Sequence, residues 1–172
     1  MEWTGARYAD TPTVEARIWI DAPADRVWRL VSDIGLMPDL SEELQSVQWL
    51  DGATGPALGA RFVGRSRHAA LGEWSATSSV VEFELGRVFG WAVGDPGDPS
   101  ALWRFRLEPA DGGTALSEWV QLGPGRSGLS LAIDRMPDKE QKIVFVRLRE
   151  FEANMGATLA AIKVLAEEPA DA

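Results

Sequence analysis

Residues 138–167 have the sequence DKEQKIVFVRLREFEANMGATLAAIKVLAE. Their large apolar side chains recur at intervals of three and four, the spacing that places residues on one face of an α-helix. These residues are Val144, Leu148, Phe151, Met155, Leu159, Ile162 and Leu165. The pattern predicts a long amphipathic C-terminal helix whose apolar face packs against the preceding part of the chain. Gly156 in mid-helix, with alanines nearby, indicates that another element approaches the helix closely there.

The composition limits the kinds of protein that this chain can be. Its 172 residues suffice for one domain with a hydrophobic core, and 45% of them are hydrophobic. A net charge of −9 argues against nucleic-acid binding. The chain has no cysteine and a single histidine, His68. This excludes disulfides, thiolate nucleophiles and metal sites built from several of these residues.

The N-terminal residues 1–12 are expected to form a loose leader within a single domain that covers residues 1–172. They lack the basic and then apolar pattern of a signal peptide. No apolar run in the chain approaches the roughly 18 residues that a membrane-spanning helix needs. We therefore expect a cytoplasmic protein without a membrane span, either a monomer or a homodimer.

The region between the leader and the C-terminal helix is predicted to be mostly β-structure. Residues 14–20 alternate between apolar and polar side chains, as a half-buried strand does. Residues 24–32 and 37–43 are predicted to form two short helices. Turn residues then separate six further segments at hairpin spacing. These segments are residues 44–50, 60–68, 73–83, 88–93, 101–109 and 114–122.

A curved antiparallel sheet wrapped around the C-terminal helix would bury the apolar faces of all these elements. The predicted fold class is therefore α+β, a helix-grip fold with seven strands and two short helices after the first strand. The inner face of the sheet mixes large aromatic residues with small ones. The small residues are Gly64, Ser66, Ala76 and Ser78. This mixture predicts a hydrophobic cavity between sheet and helix that contains a few polar groups.

Several motifs resemble those of one known superfamily. Residues 18–28 read IWIDAPADRVW and residues 31–33 read VSD, which resembles the opening of the START/Bet v 1-like (SRPBCC) superfamily. Further matches are WLDGATGPALGARF at 49–62, GGT at 112–114, SEW at 117–119, NM at 154–155, TL at 158–159 and IK at 162–163. Within the superfamily, the chain is similar to bacterial proteins described as polyketide cyclase/dehydrase. The resemblance covers about residues 14–168.

The resemblance implies the Bet v 1-like helix-grip fold and leaves more than one function open. It implies an internal cavity for a hydrophobic, aromatic or polyketide-like small molecule, with cyclisation or dehydration of that molecule as the implied chemistry. One alternative is a non-catalytic carrier or sequestering protein for a lipid or an aromatic metabolite. Another is a protein that binds a protein partner through its surface. Relatives often have a tryptophan and a proline in the second short helix, where this chain has Leu40 and Glu42. We therefore expect the mouth of the cavity to differ.

Glu118 is the first candidate for a catalytic residue. Residues 114–122 alternate so that Glu118 shares a face with Leu116, which would place its carboxyl on the apolar inner wall. Its pKa would rise there, and the group could transfer protons near neutral pH during ring closure or dehydration. Alternatively, the carboxylate lies in water at the rim or pairs with an arginine such as Arg104 or Arg106. Trp119 on the opposite face of the strand competes for burial.

His68 is the second catalytic candidate, because histidine is the side chain whose ordinary pKa lies closest to physiological pH. It ends a predicted strand, where it could contact a ligand or be an exposed hairpin residue.

Ser66 and Ser78 could orient a carbonyl or hydroxyl group of the ligand, or could simply form hydrogen bonds with the backbone. No Ser/His/Asp triad can be assembled from them. The glycines of residues 123–128 do not follow a phosphate-loop pattern. We expect no nucleotide, other cofactor or metal.

The expected ligand-binding residues lie on the inner faces of the strands and of the C-terminal helix. They are Phe62, Ser66, Trp74, Ser78, Phe89, Trp91, Trp103, Phe105, Leu116, Phe151 and Met155. The aromatic residues among them could stack on a polycyclic ligand or could be ordinary core. Residues 129–136 have apolar side chains at one-turn spacing, which predicts a short helix. That helix could cover the cavity as a lid or pack on the sheet edge as a connector.

Overall fold

A computed structural model describes residues 1–169. Its strands are β1 (Thr13–Ile20), β2 (Leu44–Trp49), β3 (Arg61–His68), β4 (Gly72–Glu84), β5 (Val88–Asp95), β6 (Asp98–Ala110) and β7 (Gly113–Leu122). They form one antiparallel sheet in the order β1-β7-β6-β5-β4-β3-β2. The strands from β2 to β7 are therefore a series of hairpins, and β1 completes the sheet beside β7.

Four α-helices accompany the sheet. They are α1 (Ala24–Val31), α2 (Met37–Leu40), α3 (Gly128–Arg135) and α4 (Glu140–Glu167). A 3-10 turn at Pro137–Lys139 precedes α4, so this helix begins two residues after the expected start at Asp138. Within residues 1–169, no helix combines the length and the apolar character needed to cross a membrane.

The architecture confirms the predicted α+β helix-grip fold, with a curved seven-stranded antiparallel sheet around a long C-terminal helix. Two short helices follow the first strand, as expected, but the second ends at Leu40 and not at the predicted Glu43, so Glu43 lies in a bend. The turn expected at residues 94–99 is shorter than predicted, because β5 and β6 stay paired as far as Asp95 and Asp98. The short helix predicted over residues 129–136 is present as α3.

The turn between β6 and β7 fixes the register of the strand that carries Glu118. Asp111 and Gly112 both have positive φ, 48° and 78°, as a tight two-residue hairpin turn requires. At the next residue, Gly113, a Cβ would lie 2.4 Å from a ring carbon of Trp19. Only glycine allows this close approach. Together these features determine which side chains of β7 face the interior.

Apolar side chains fill the layer between the sheet and α4 in two clusters. The first includes the C-terminal half of α4 with Leu159 and Ile162, and the second includes its N-terminal half with Leu148. On β7, Leu116 belongs to the first cluster and Val120 to the second. The boundary between the clusters therefore falls at the inward-facing position between these two residues.

Gly156 does not mark a close approach to α4, contrary to the expectation. A Cβ at this position would meet nothing within 4 Å. Gly156 is exposed, as are the neighbouring Ala153, Ala157 and Ala160. These small residues lie on the outer face of the helix, so their size is not required by packing against the sheet.

The N-terminal segment is anchored at Tyr8. The ring of Tyr8 is buried in the second cluster, and its hydroxyl donates a hydrogen bond of 2.5 Å to the carbonyl oxygen of Gly125. Arg7 forms an ion pair of 3.2 Å with Glu140 at the start of α4. Part of the segment expected to be a loose leader is thus held against the helix.

Candidate functional site

Glu118 lies on the inner face of β7, between Leu116 and Val120. Its paired positions on the neighbouring strands are Phe105 on β6 and Ala16 on β1. Side chains at paired positions of an antiparallel sheet have Cβ atoms about 5 Å apart. The carboxyl group therefore lies among hydrocarbon groups, at the boundary between the two clusters of the core.

Burial determines the charge of Glu118. The residue is only 6% exposed, and among residues 1–169 its Oε2 has no hydrogen-bond partner. Burial raises the pKa of Glu118 from an ordinary 4.5 to about 8, because the charged form loses its hydration. At neutral pH the side chain is therefore predominantly a neutral carboxylic acid, and one of its oxygens lacks a protein partner.

The alternative in which Glu118 pairs with Arg104 is wrong, because the two residues lie on opposite faces of the sheet. The guanidinium of Arg104 is 3.3 Å from Glu82 and lies over the ring of Trp119, 4.6 Å from its centroid. Trp119 is thus half-buried on the outer face of the sheet, beneath an arginine. It therefore does not compete with Glu118 for a buried position in the inner layer, by which we mean the space between the sheet and α4.

A row of aromatic rings leads from Phe105, the neighbour of Glu118, to α4. The centroid of the Phe105 ring lies 6.0 Å from that of Trp91. Trp91 stacks on Trp103 with 6.4 Å between centroids and 13° between planes. Trp103 in turn meets the edge of Phe151 on α4, at a centroid separation of 5.1 Å. We call Phe105, Trp91, Trp103 and Phe151 the aromatic row.

Side chains fill part of the space in which the cavity was expected. The ring separations of the aromatic row are those of packed aromatic pairs. Above Gly64, which was expected to leave space, Leu44 reaches in so far that a Cβ would lie 3.1 Å from its Cδ1. Two concavities formed by residues 1–169 lie outside the inner layer. One has a volume of ≈290 Å³ and lies on the outer face around Ser117, and the other has a volume of ≈450 Å³ and lies between α2 and the start of β2. A ligand that lay among the rings of the aromatic row would displace some of these contacts.

Arg147 is a second buried polar group, at the other end of the aromatic row. It is 7% exposed, and its guanidinium carbon lies 4.3 Å from the centroid of the Phe151 ring. Its nitrogens donate to both carboxylate oxygens of Glu43, at 2.5 and 2.8 Å, and to Oε2 of Glu150 at 3.0 Å. Burial alone would lower the pKa of Arg147, but the hydrogen bonds and charges of the two carboxylates outweigh it and raise that pKa.

His68 joins the same cluster through Glu150. Its Nε2 lies 3.1 Å from Oε2 of Glu150, while its Nδ1 accepts the backbone N–H groups of Ala70 at 3.0 Å and Leu71 at 3.2 Å. Because Nδ1 accepts, the ring hydrogen of the neutral imidazole is assigned to Nε2, which donates to Glu150. This tautomer leaves His68 without a free ring nitrogen for a ligand.

Glu43, His68 and Glu150 each place one potential metal-binding atom within 4.8 Å of the others. The guanidinium of Arg147 already bonds both carboxylates of this set. The imidazole of His68 presents an N–H group rather than a lone pair toward them. These groups are therefore engaged with one another, and the positive charge at their centre comes from the protein itself.

The structure brings most of the predicted ligand-binding residues together in the inner layer. Outside the aromatic row, the buried ones are Phe62, Ser78, Phe89, Leu116 and Met155. Ser66 and Trp74 occupy paired positions on β3 and β4, and both are only half-buried. Neither belongs to the two core clusters. These two lie apart from the site that surrounds Glu118.

Arg147 and Glu43 were not among the site residues expected from the sequence. A signal existed for Arg147, which follows Val144 by three positions and precedes Phe151 by four, on the apolar face of the helix. A charge on that face is buried and needs a counter-charge. Glu43 lies in a bend between α2 and β2, where no periodicity indicates which way a side chain points.

Comparison with known proteins identifies the family of this chain. A family model described as polyketide cyclase/dehydrase and lipid transport matches residues 11–140. A polyketide cyclase-like protein of Corynebacterium glutamicum is 32% identical over 88% of each chain, with a TM-score of 0.64. No curated protein matches.

Two more distant solved structures share the fold. The Zhui aromatase/cyclase of Streptomyces sp. R1128 is 20% identical over 91% of this chain and 93% of its own, with a TM-score of 0.63. The structure of Ara h 8.0201 is 14% identical over 88% of this chain and 97% of its own, with a TM-score of 0.56. These two matches agree with the observed architecture and confirm the Bet v 1-like helix-grip fold. The chain belongs to the polyketide cyclase/dehydrase and lipid transport family.

Proposed function

We propose that the protein binds a hydrophobic, aromatic or polyketide-like molecule between the sheet and α4, along the aromatic row. Glu118 carries this proposal, because it is a buried carboxyl group with an unpartnered oxygen. A polar group left unsatisfied in a core is unfavourable by about 1–3 kcal/mol. A ligand with a carbonyl or hydroxyl oxygen would supply the missing hydrogen bond.

The aromatic row supports the choice of an aromatic ligand. Its rings already interact through faces and edges, as aromatic pairs do. A ligand ring inserted among them would replace these contacts with contacts of the same kind. We therefore expect an aromatic molecule to be accommodated here more readily than a ligand without aromatic rings. The family description, which names polyketide cyclisation, dehydration and lipid transport, supports the same ligand class.

The neutral Glu118 also supports an enzymatic form of the proposal, the dehydration of a β-hydroxy ketone. The acid donates its proton to the hydroxyl oxygen, the C–O bond breaks, and water leaves. The carboxylate then takes a proton from the carbon next to the ketone, which forms the C=C bond and restores the acid. General acid–base assistance of this kind accelerates a reaction by about 10²–10⁴-fold.

The second candidate function is that of a non-catalytic carrier, and one observation favours it. The described residues offer Oε2 of Glu118 no hydrogen-bond partner, so no second polar group orients this carboxyl for proton transfer. Efficient catalytic groups are usually held by such supporting contacts. In a carrier, Glu118 would bind the oxygen of the ligand, and the ligand would leave unchanged.

Binding is tested with a matched pair of ligands, anthrone and anthracene, which differ by a ketone oxygen. The chain has eight tryptophans, two of them in the aromatic row, so binding should quench tryptophan emission saturably. Glu118→Leu should weaken anthrone binding about tenfold and leave anthracene binding unchanged. Glu108→Leu, an exposed substitution on β6, is the control. A flat response to both ligands would contradict the proposal.

Turnover separates the enzyme from the carrier. The substrate is the aldol adduct of acetophenone and benzaldehyde, whose dehydration product, chalcone, is followed by its absorbance. For an enzyme, Glu118→Gln should retain binding and lose about 10²–10⁴-fold in rate, since the amide cannot exchange a proton in this way. For a carrier, the wild-type protein should form a stable complex from which the adduct is recovered unchanged.

A further inference from the structure

Arg147 presents a positive charge to the inner layer. Its guanidinium lies over Phe151, the last ring of the aromatic row. A buried guanidinium needs an anion beside it, because an unpaired charge in a protein interior is strongly unfavourable. Glu43 and Glu150 supply that anion from the solvent side, since their side chains are 17% and 36% exposed against 8% for Arg147.

The carboxylate of Glu43 can be displaced from Arg147 by another carboxylate, because few other contacts hold it. It lies in the bend between α2 and β2. Apart from Arg147, its carboxylate accepts one long hydrogen bond among the described residues, 3.5 Å from Nδ2 of Asn154. The ≈450 Å³ groove between α2 and the start of β2 is lined by the residues on either side of Glu43 and by Ala157 of α4. The side chain of Glu43 is already 17% exposed, so its carboxylate can turn outward into water.

We propose that Arg147 is the receptor for a carboxylate group of the ligand, and that Glu43 occupies this position until the ligand binds. The inference rests on the proposed function and narrows its ligand class to aromatic molecules with an ionised carboxylate at one end. The planar fork of a guanidinium binds any carboxylate through the same two hydrogen bonds. The exchange thus preserves the ion pair and releases Glu43 into water.

The two buried polar groups then define the orientation of the ligand. Its carboxylate binds Arg147, and its ring system lies beside Phe151 and Trp103. A carbonyl or hydroxyl oxygen further along the molecule reaches Glu118, next to the other end of the aromatic row. An apolar hydrocarbon would satisfy neither group, so the site selects for a molecule that is polar at both places.

The test uses anthracenecarboxylic acid and its neutral amide, anthracenecarboxamide, at neutral pH. Arg147→Met should weaken binding of the acid at least about tenfold and change binding of the amide by less than about twofold. Glu43→Gln removes the competing charge and keeps the side-chain shape, so it should strengthen binding of the acid about tenfold and leave the amide unchanged. The exposed neighbours provide controls, Arg149→Met and Glu42→Gln, which should affect neither ligand.

Equal changes in affinity for the acid and for the amide would overturn the inference. They would show that the cluster controls access of a ligand to the inner layer and does not bind its carboxylate. Circular dichroism checks that the variants are folded. If Arg147→Met does not fold, the Glu43→Gln result decides, because that variant retains the buried cation and Glu150. If the wild-type protein binds the amide with no preference for the acid, the inference fails and the proposed function stands. If neither ligand binds, the proposed function fails as well.

Discussion

Glu118 on β7 and Phe105 on β6 occupy paired positions on the inner face of the sheet, so a carboxyl group lies beside an aromatic ring in the core. The inner face of a sheet that packs on a helix normally carries hydrocarbon side chains at such positions. The buried position favours the neutral acid over the charged carboxylate, and burial therefore raises the pKa of Glu118 to about 8. Stability therefore depends on pH through this residue.

The first prediction is that Glu118 makes the folded protein less stable as the pH rises. In the unfolded chain the group loses its proton near 4.5, whereas the folded protein keeps it up to about 8. The stabilisation from this proton is fully present below the lower value and is lost as the pH passes through the higher one. The loss is on the order of 5 kcal/mol, since one pKa unit corresponds to about 1.4 kcal/mol. Urea unfolding of wild type and Glu118→Gln across this range measures it.

The Glu118→Gln variant cannot ionise at this position, so its stability should exceed that of the wild type increasingly at higher pH. Glu108→Gln on the exposed face of β6 is the control and should follow the wild type. A constant difference between wild type and Glu118→Gln over the whole range would contradict the burial of this carboxyl.

The second prediction concerns Phe151, which joins the aromatic row to α4. Phe151→Ala should lower the free energy of unfolding by about 3–5 kcal/mol, because the ring is buried against Trp103 and Arg147. Val146→Ala on the exposed side of the same helix should stay within about 0.5 kcal/mol. A small loss for Phe151→Ala together with altered ligand binding would show that the ring borders an open cavity in solution.

The third prediction is that Glu43→Ala destabilises the protein more than Arg147→Met. Loss of Glu43 leaves the buried guanidinium with Glu150 as its remaining carboxylate partner within the described cluster. Methionine in place of Arg147 keeps contact with Phe151 and leaves two carboxylates that are closer to water. We expect losses of about 2–3 kcal/mol and about 1 kcal/mol, respectively. Chemical unfolding measures both, and the reverse order would contradict this description of the cluster.

The fourth prediction is that Zn²⁺ leaves the melting temperature unchanged. A metal that binds only the folded state raises that temperature. Here the guanidinium of Arg147 holds the carboxylates of Glu43 and Glu150, and Nε2 of His68 carries a hydrogen. A thermal melt with and without the metal tests this. A saturable rise that His68→Gln abolishes would show that a metal displaces the arginine.

Local periodicity was sufficient to predict the fold and the position of Glu118. Alternation along β7 placed this carboxyl on the inner face. The spacing of three and four along α4 identified six of its eight buried residues, missed Arg147 and Ala166, and included Leu165, which is half-buried. Both patterns depend only on the geometry of a single element. The direction of the pKa shift of Glu118 followed from the same prediction, because burial of a carboxyl group raises its pKa.

The ion pair between Glu43 and Arg147 and the filling of the space at Gly64 could not be predicted in this way, because each depends on contacts between distant parts of the chain. Glu43 and Arg147 are 104 positions apart, and Glu43 lies in a bend without periodicity. The gap at Gly64 is filled by Leu44 from another strand, which composition alone does not indicate. The small residues around Gly156 face solvent, although their size resembled that of a close packing contact.

The buried acid has a consequence for the evolution of this chain. Leucine, methionine or glutamine at position 118 would avoid the penalty of a desolvated carboxylate, so random mutation under selection for heat resistance above about pH 8 should replace Glu118 early. Position 118 is therefore a place where a laboratory screen for robustness would remove the very group on which the activity of the protein is proposed to depend.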